Sequence, residues 1–249
     1  MRAILTYHSV DDSGSPISVS PEVFRAQVQW LAEGPVRVLS LEDLVSASPE
    51  DDAVALTFDD GFVNFGTVAA PLLEEHGLPA TLFVVANYVG KDNQWNGKKG
   101  PGIPVLPLLD WAALGRCAES GVDIGGHTLN HPNLCRLPAE RIRQELADAA
   151  AAIAREIGRP PRSVAYPYGA HTPEISSMAE ETYRLGLTTE LRYLDIGDDP
   201  LCLPRLDMYY YRTRGQLESW GTRRFDQRLW IRRQARRFRQ TLAAPRAAR

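Results

Sequence analysis

Along most of this chain short apolar runs alternate with stretches of helical periodicity, and that alternation leaves few folds open. Ala3 to Tyr7, Val36 to Leu39, Ala53 to Phe58, Ala80 to Val85, Val122 to Ile124 and Ser163 to Tyr166 read as strands. Two more fall near Leu187 to Thr189 and Leu203 to Met208. Between the first two, Ser20 caps a helix with Pro21 at its first position, and Phe24, Val28 and Leu31 recur on one face. Further helical patterns lie around Ala69 to His76, Asp110 to Ser120, Pro138 to Ile157 and Pro173 to Leu185. Gly77, Gly121 and Gly158 stop the first three of these. The pattern is that of a parallel α/β sheet. At 249 residues and 44% hydrophobic, the chain is long enough for one large core and short for two.

Net charge is -3, which gives no global attraction to nucleic acid and removes it as an expected partner. The charge is unevenly spread. Residues 223–249 hold ten Arg against the single acid Asp226, so this stretch carries +9 and the remainder -12. It reads as a basic C-terminal helix or tail, either a solvated helix end with a frayed terminus or a contact for a partner or membrane surface. Cys117, Cys135 and Cys202 have unrelated spacings and are expected to be reduced thiols. The opening MRAILTYHSVDD lacks the ~7 apolar residues of a signal h-region, and no run approaches the ~20 of a membrane span. The expected location is cytoplasmic, peripheral to the inner membrane face if the basic tail makes contact there.

Chemistry concentrates at the ends of the apolar runs. Thr57-Phe58-Asp59-Asp60-Gly61 puts two adjacent carboxylates after a strand, where parallel α/β folds hold their active sites. Adjacent acids repel, so a cation nearby would stabilise them; otherwise they form an acidic turn with Gly61 at positive φ. His127-Thr128-Leu129-Asn130-His131 places two imidazoles four residues apart, a spacing at which both reach one metal from one helical face. With Asp60 they make a two-His, one-carboxylate set that leaves positions open for water and substrate. Ala165-Tyr166-Pro167-Tyr168-Gly169 is a turn carrying two aromatics. Arg205, in Leu203-Pro204-Arg205-Leu206-Asp207, needs a carboxylate partner if it is buried and reaches the surface if it is not. Residues 88–107 form a long loop rich in Gly, Pro, Asn and Lys around Trp95, and loops of this length inside a compact domain are usually functional or disordered.

In this order, TFDDG, HTLNH, AYPYG and LPR resemble the polysaccharide deacetylase family, the carbohydrate esterases that share the NodB homology domain. The resemblance runs from about Ile4 to Met208 and includes Asn93-Gln94-Trp95-Asn96 and Leu109-Asp110-Trp111. It implies an α/β fold, a distorted, incomplete (β/α) barrel over residues 1–222. It further implies that Asp59 is the general base and that Asp60, His127 and His131 bind a divalent ion. That ion is commonly Zn²⁺, and Co²⁺, Ni²⁺ or Mn²⁺ can serve. The Pro167-Tyr168 turn would present the Tyr168 N–H to an oxyanion.

Two departures bear on the roles. Where the best-known subset of the family has an arginine that tethers the base, this chain has Ala165, and Arg205 is the candidate replacement. The late Leu-x-Leu-x-His motif that supplies an acid histidine there is also missing. Tyr7-His8-Ser9-Val10 resembles the YHxV opening of the branch that includes exopolysaccharide and poly-N-acetylglucosamine deacetylases, where strand order is circularly permuted. His8 would then be the acid, across the metal from Asp59. His76 and His171 have weaker claims. The implied activity is metal-dependent removal of acetyl from an N-acetylated carbohydrate, and Trp95 favours a sugar because aromatic faces stack on pyranose rings. A hydrolase of another C–N bond in a small metabolite, or an inactive sugar-binding homologue, remain the alternatives.

Overall fold

The computed structural model describes residues 1–98 and 100–243. The last six residues of the basic tail, 244–249, lie outside the described residues. The elements, in chain order, begin with β1 (Arg2–Tyr7), β2 (Ser9–Val10), β3 (Ser18–Val19), α1 (Pro21–Glu33), β4 (Arg37–Val38) and α2 (Leu41–Ser46). Then come β5 (Ala53–Phe58), α3 (Ala70–Glu75), β6 (Ala80–Val84), α4 (Trp111–Glu119), β7 (Asp123–Gly126) and α5 (Ala139–Ile157). The chain continues with β8 (Ser163–Ala165), α6 (Pro173–Glu180), β9 (Leu185–Leu187), β10 (Leu206–Asp207) and α7 (Arg223–Ala243).

All pairings of the main sheet are parallel, in the order β10-β1-β5-β6-β7-β8-β9, with β4 beside the start of β5. The sheet curls until only the 203–207 segment separates its edges. Leu203 bridges to Leu187, while β10 pairs with Leu5 and Thr6. This thin seam makes the α/β barrel distorted and incomplete. The tripartite opening Ser20-Pro21-Glu22 starts α1 as expected, the Ser20 hydroxyl accepting from Val23 N–H.

Alternation along the strands divides the core in two. Ala3, Leu5 and Tyr7 of β1, with Val54, Leu56 and Phe58 of β5, face outward against Phe24, Val28 and Leu31 of α1 and Leu73 of α3. Ile4, Ala53, Ala55, Phe83, Ala165, Leu187 and Leu203 fill the barrel interior, joined by Leu41 and Leu44 of α2. Because the side-chain period of a strand is two, the inward row of β1 continues Ile4, Thr6, His8, and that of β5 continues Ala55, Thr57, Asp59. Small and apolar residues occupy the N-terminal half of the barrel. The polar ends of the same rows open at its C-terminal half.

Two expectations change. The helix foreseen from Pro173 to Leu185 ends at Glu180, and Leu185 starts β9 instead. Pairing of Leu185–Leu187 with Ser163–Ala165 overrides the helical spacing of the apolar residues there. The short helix α2, capped by Ser40, is too brief for its periodicity to be read.

Candidate active site

Register builds one wall of the site. Ile4 pairs with Ala55 and Thr6 with Thr57, so the next inward pair is His8 beside Asp59. The ladder is maintained to that level, since Asp59 N–H donates to Tyr7 O at 3.0 Å. Directly beneath, the Thr6 and Thr57 hydroxyls lie 3.1 Å apart. Arg205 arrives from the seam segment. Its Nη1 and Nη2 donate to Asp59 Oδ1 and Oδ2 at 2.7 and 2.8 Å, and its Nε donates to Thr188 O at 2.8 Å. Both residues are buried. Burial alone would raise the Asp59 carboxyl, but the Arg205 charge, aided by His127 and His8, holds it far below the usual carboxylate range. His8 Nε2 lies 3.8 Å from Asp59 Oδ2. This corrects the expectation that His8 stands across the metal from Asp59: adjacent parallel strands in this register put both on the same side.

Asp60 points elsewhere. It adopts φ +74°, which turns its side chain away from that of Asp59 and toward the loop after β7. Its Oδ1 lies 3.5 Å from His127 Nε2 and 3.6 Å from His131 Nε2, and among the described residues no donor satisfies it although it is buried. One ligand atom from each of the three residues falls within 4.8 Å of the other two. His127 Nδ1–H donates to Ala165 O at 2.6 Å, which orients the ring so that Nε2 faces Asp60. Burial raises the Asp60 carboxyl above its usual range, only partly offset by His127 and His8. Burial, then the neighbouring His127, holds His131 well below the usual imidazole value and therefore neutral. A buried carboxylate oxygen without a donor among the described residues, faced by the Nε2 atoms of two imidazoles, fits a divalent cation of the Zn²⁺ type.

His127 and His131 do not share a helical face. Thr128 and His131 take φ +65° and +58°, and residues 127–131 form a loop. The four-residue spacing reaches one point because the loop folds back, and the fold holds it there. The carboxylate of Glu145, on α5, accepts from Leu129 N–H, Asn130 N–H and Asn130 Nδ2 at 3.1, 2.8 and 2.7 Å. Thr128 Oγ1 accepts from His131 N–H at 3.0 Å. Glu145 escaped sequence reasoning because it occupies an ordinary position of a long helical pattern. Its only signal is an acid on the otherwise apolar face of Ile142, Leu146 and Ala149. The two glycines before His127 answer a packing need: a Cβ on Gly125 would meet the Phe83 ring at 2.5 Å, and one on Gly126 the Tyr183 hydroxyl at 2.5 Å.

Around these groups lies a cavity of about 690 Å³. His8, Asp59, Asp60, His127, His131, Trp95 and Tyr168 all line it. Tyr168 has φ +61°, and among the described residues its N–H meets no acceptor. Pro167 opens that turn and Gly169 closes it, where a Cβ would collide with Thr189. Trp95 stacks on the His131 ring, centroids 4.6 Å apart, and Tyr168 meets the same ring edge-on at 4.8 Å. One face of Trp95 is thus taken by His131 and not free for a sugar ring. Five non-glycine residues have positive φ among those described, Asp60, Asn96, Thr128, His131 and Tyr168. Four line this cavity and the fifth lies between the two histidines, so backbone strain of roughly 1–3 kcal/mol each is confined to one site. His171 stacks on Tyr166 outside the cavity, and His76 is the C-cap of α3.

The family described as polysaccharide deacetylase matches residues 46–188, more than half of the chain, and the chain belongs to that family. It is 28% identical to YxkH of Bacillus subtilis (strain 168) over 193 residues, covering 75% of this chain and 64% of YxkH. The chain therefore spans somewhat less than two thirds of that relative. It is 24% identical over 207 residues to the poly-beta-1,6-N-acetyl-D-glucosamine N-deacetylase of Staphylococcus epidermidis, covering 76% of this chain and 67% of that protein. Among solved structures, IcaB from Ammonifex degensii shares the fold, with a TM-score of 0.71 and 24% identity over 88% of this chain and 93% of that one.

Proposed function

We propose that this member of the polysaccharide deacetylase family hydrolyses the acetamide of an N-acetylated amino sugar in a polysaccharide, oligosaccharide or glycoconjugate, with Zn²⁺ as its ion. The observation that carries the reading is the pair Asp59–Asp60. Two neighbouring carboxylates are aimed apart, one clamped by Arg205 and one left with an unpaired buried oxygen beside two imidazoles.

Asp60, His127 and His131 would hold the ion, which when bound would supply Lewis acidity to the acetyl carbonyl and lower the pKa of a water toward ~7. Asp59 accepts the proton of the attacking water. Arg205 fixes Asp59 in orientation and keeps it ionised, while the remaining lone pairs of Asp59 are available to water. The Tyr168 N–H, positioned by Pro167, stabilises the oxyanion of the tetrahedral state. His8 protonates the departing amine. Because His8 and Asp59 are neighbours, one wall of the cavity serves both proton transfers, and the opposite wall holds the charge. Acetate and a free amino sugar leave.

The test is acetate release across N-acetylglucosamine oligomers, peptidoglycan fragments and small N-acetyl metabolites, using chain stripped of metal and then reloaded with Zn²⁺. Release from the sugars that requires the metal is the expected result. Release confined to non-sugar metabolites would overturn the substrate class, and no release from any would overturn the activity.

A further inference from the structure

The last helix is built inside out. Phe225 and Leu229 of α7 are buried, Phe225 stacking on Tyr211 at 4.7 Å and meeting Trp220 edge-on at 5.2 Å. Along the same side, Arg228, Arg233 and Arg236 are partly buried against the domain. The solvent side carries Gln227, Trp230, Ile231, Gln234, Ala235 and Phe238, and Arg232 is the sole charged residue among the described exposed positions of 227–238. Trp230, Ile231 and Phe238 are 62%, 57% and 67% exposed. An ordinary surface helix buries its apolar stripe and shows its charges to water. Here the stripe faces out with arginines along its borders.

We propose that α7 docks on an anionic bilayer surface, its Trp230–Ile231–Phe238 stripe entering the headgroup boundary and its arginines meeting lipid phosphates. Charge selects this occupant. The ten Arg and one Asp of residues 223–249 complement an anionic surface, and a second copy of the chain would bring +9 against +9. Nucleic acid would match the charge but has no use for three exposed apolar side chains on one face. The helix also lies where docking matters. Arg233 and Arg236 border a hollow with His171 and Thr189, and Thr189 in turn lines the catalytic cavity. A bilayer held by α7 therefore lies beside the mouth of that cavity, suiting an acetylated sugar presented at a membrane surface. The docking itself does not depend on the deacetylase reading.

Co-sedimentation of the full chain with vesicles of phosphatidylcholine, alone or mixed with phosphatidylglycerol, tests the docking directly. The chain should sediment with the mixed vesicles, and less so as salt rises. Trp230→Ser with Ile231→Ser and Phe238→Ser should lower the partition coefficient by at least about tenfold while acetate release from a soluble oligomer stays unchanged. Arg224→Gln with Arg232→Gln should weaken binding and flatten its salt dependence. Should the triple variant fold poorly, the wild-type chain carries a second readout. Its fluorescence should shift to the blue on mixed vesicles, and Trp230→Phe should remove that shift. Failure to sediment, equal binding to neutral vesicles, or an unaltered partition in the triple variant would overturn the proposal. So would a dimer in light scattering that the triple variant dissolves, or tight binding of duplex DNA that the triple variant retains.

Discussion

The two walls of the catalytic cavity are made from the same materials and left in opposite states. On the β1–β5 side, Asp59 has both oxygens paired with Arg205, and its carboxyl is held far below the usual range. One residue further on, Asp60 has a buried oxygen with no donor, and its carboxyl is raised. Peptide neighbours of one residue type thus receive opposite electrostatic treatment. The cause is the left-handed turn at Asp60, which sends consecutive side chains to different partners. The difference teaches that a buried charge the protein satisfies itself is a tool for positioning. A buried charge it leaves unsatisfied is a place for an ion.

The largest effect should come from the unsatisfied wall. His131→Ala removes one of the three proposed ligands, so bound metal should be mostly lost and kcat/KM should drop on the order of 10³ or more, the several kcal/mol of charge stabilisation an ion supplies. Full metal content with normal turnover would mean that the cavity holds its ion elsewhere.

The satisfied wall should respond in stability as well as rate. Arg205→Met leaves the Asp59 charge buried and unpaired, which costs about 3–5 kcal/mol in comparable cases. The pH dependence has a fixed sign. Asp59 has a folded-state pKa below its unfolded value, so in the wild type its contribution is complete above pH ~4 and fades only as pH falls through the lower folded value. In Arg205→Met burial acts without the counter-charge and that contribution disappears at neutral pH. Denaturant melts should show the gap between the two proteins narrowing as pH drops below ~4, and a pH-independent gap would assign the loss to packing alone.

Glu145 supports the unsatisfied wall from behind. Glu145→Gln keeps the shape but turns one of the two acceptor oxygens into a donor: if the remaining oxygen stays on the Leu129 and Asn130 N–H groups, the new NH2 faces Asn130 Nδ2, another donor. Metal affinity should fall by about 10–100-fold, read by chelator competition, with kcat at saturating metal nearly preserved. The smallest effect belongs to Tyr168→Gly, which deletes the side chain while keeping the N–H and easing the positive φ. If the backbone donor is the working part, kcat should stay within about threefold; a loss of 10² or more would move the role to the ring or phenol.

Much of this was legible in the sequence because the strands are continuous apolar runs that end on their chemistry. Ala53–Phe58 is read to the residue, and the ligand candidates follow the strands directly. What escaped depends on relations between distant segments. Nothing in Tyr7-His8 announces the register that sets His8 beside Asp59, because a parallel pairing is decided by the whole barrel. The i, i+4 spacing of the histidines suggests one helical face, yet their loop is shaped by Glu145, fourteen residues beyond the second of them. Trp95 suits a sugar platform by residue type, but the fold spends one of its faces on His131. In α7 the composition was plain, but the direction in which its apolar side faces is a tertiary fact.

The central claim is that Asp59 and Asp60 differ in task, and metal content of their two asparagine variants tests it most directly. Purified Asp59→Asn and Asp60→Asn, loaded with Zn²⁺ and dialysed together, would be compared with wild type by elemental analysis. Asp59→Asn should retain the ion while its kcat falls by roughly 10²–10⁴, because only the proton acceptor is gone. Asp60→Asn should lose most of the ion. Equal metal loss in both, or loss in Asp59→Asn alone, would contradict the division of labour between the two walls.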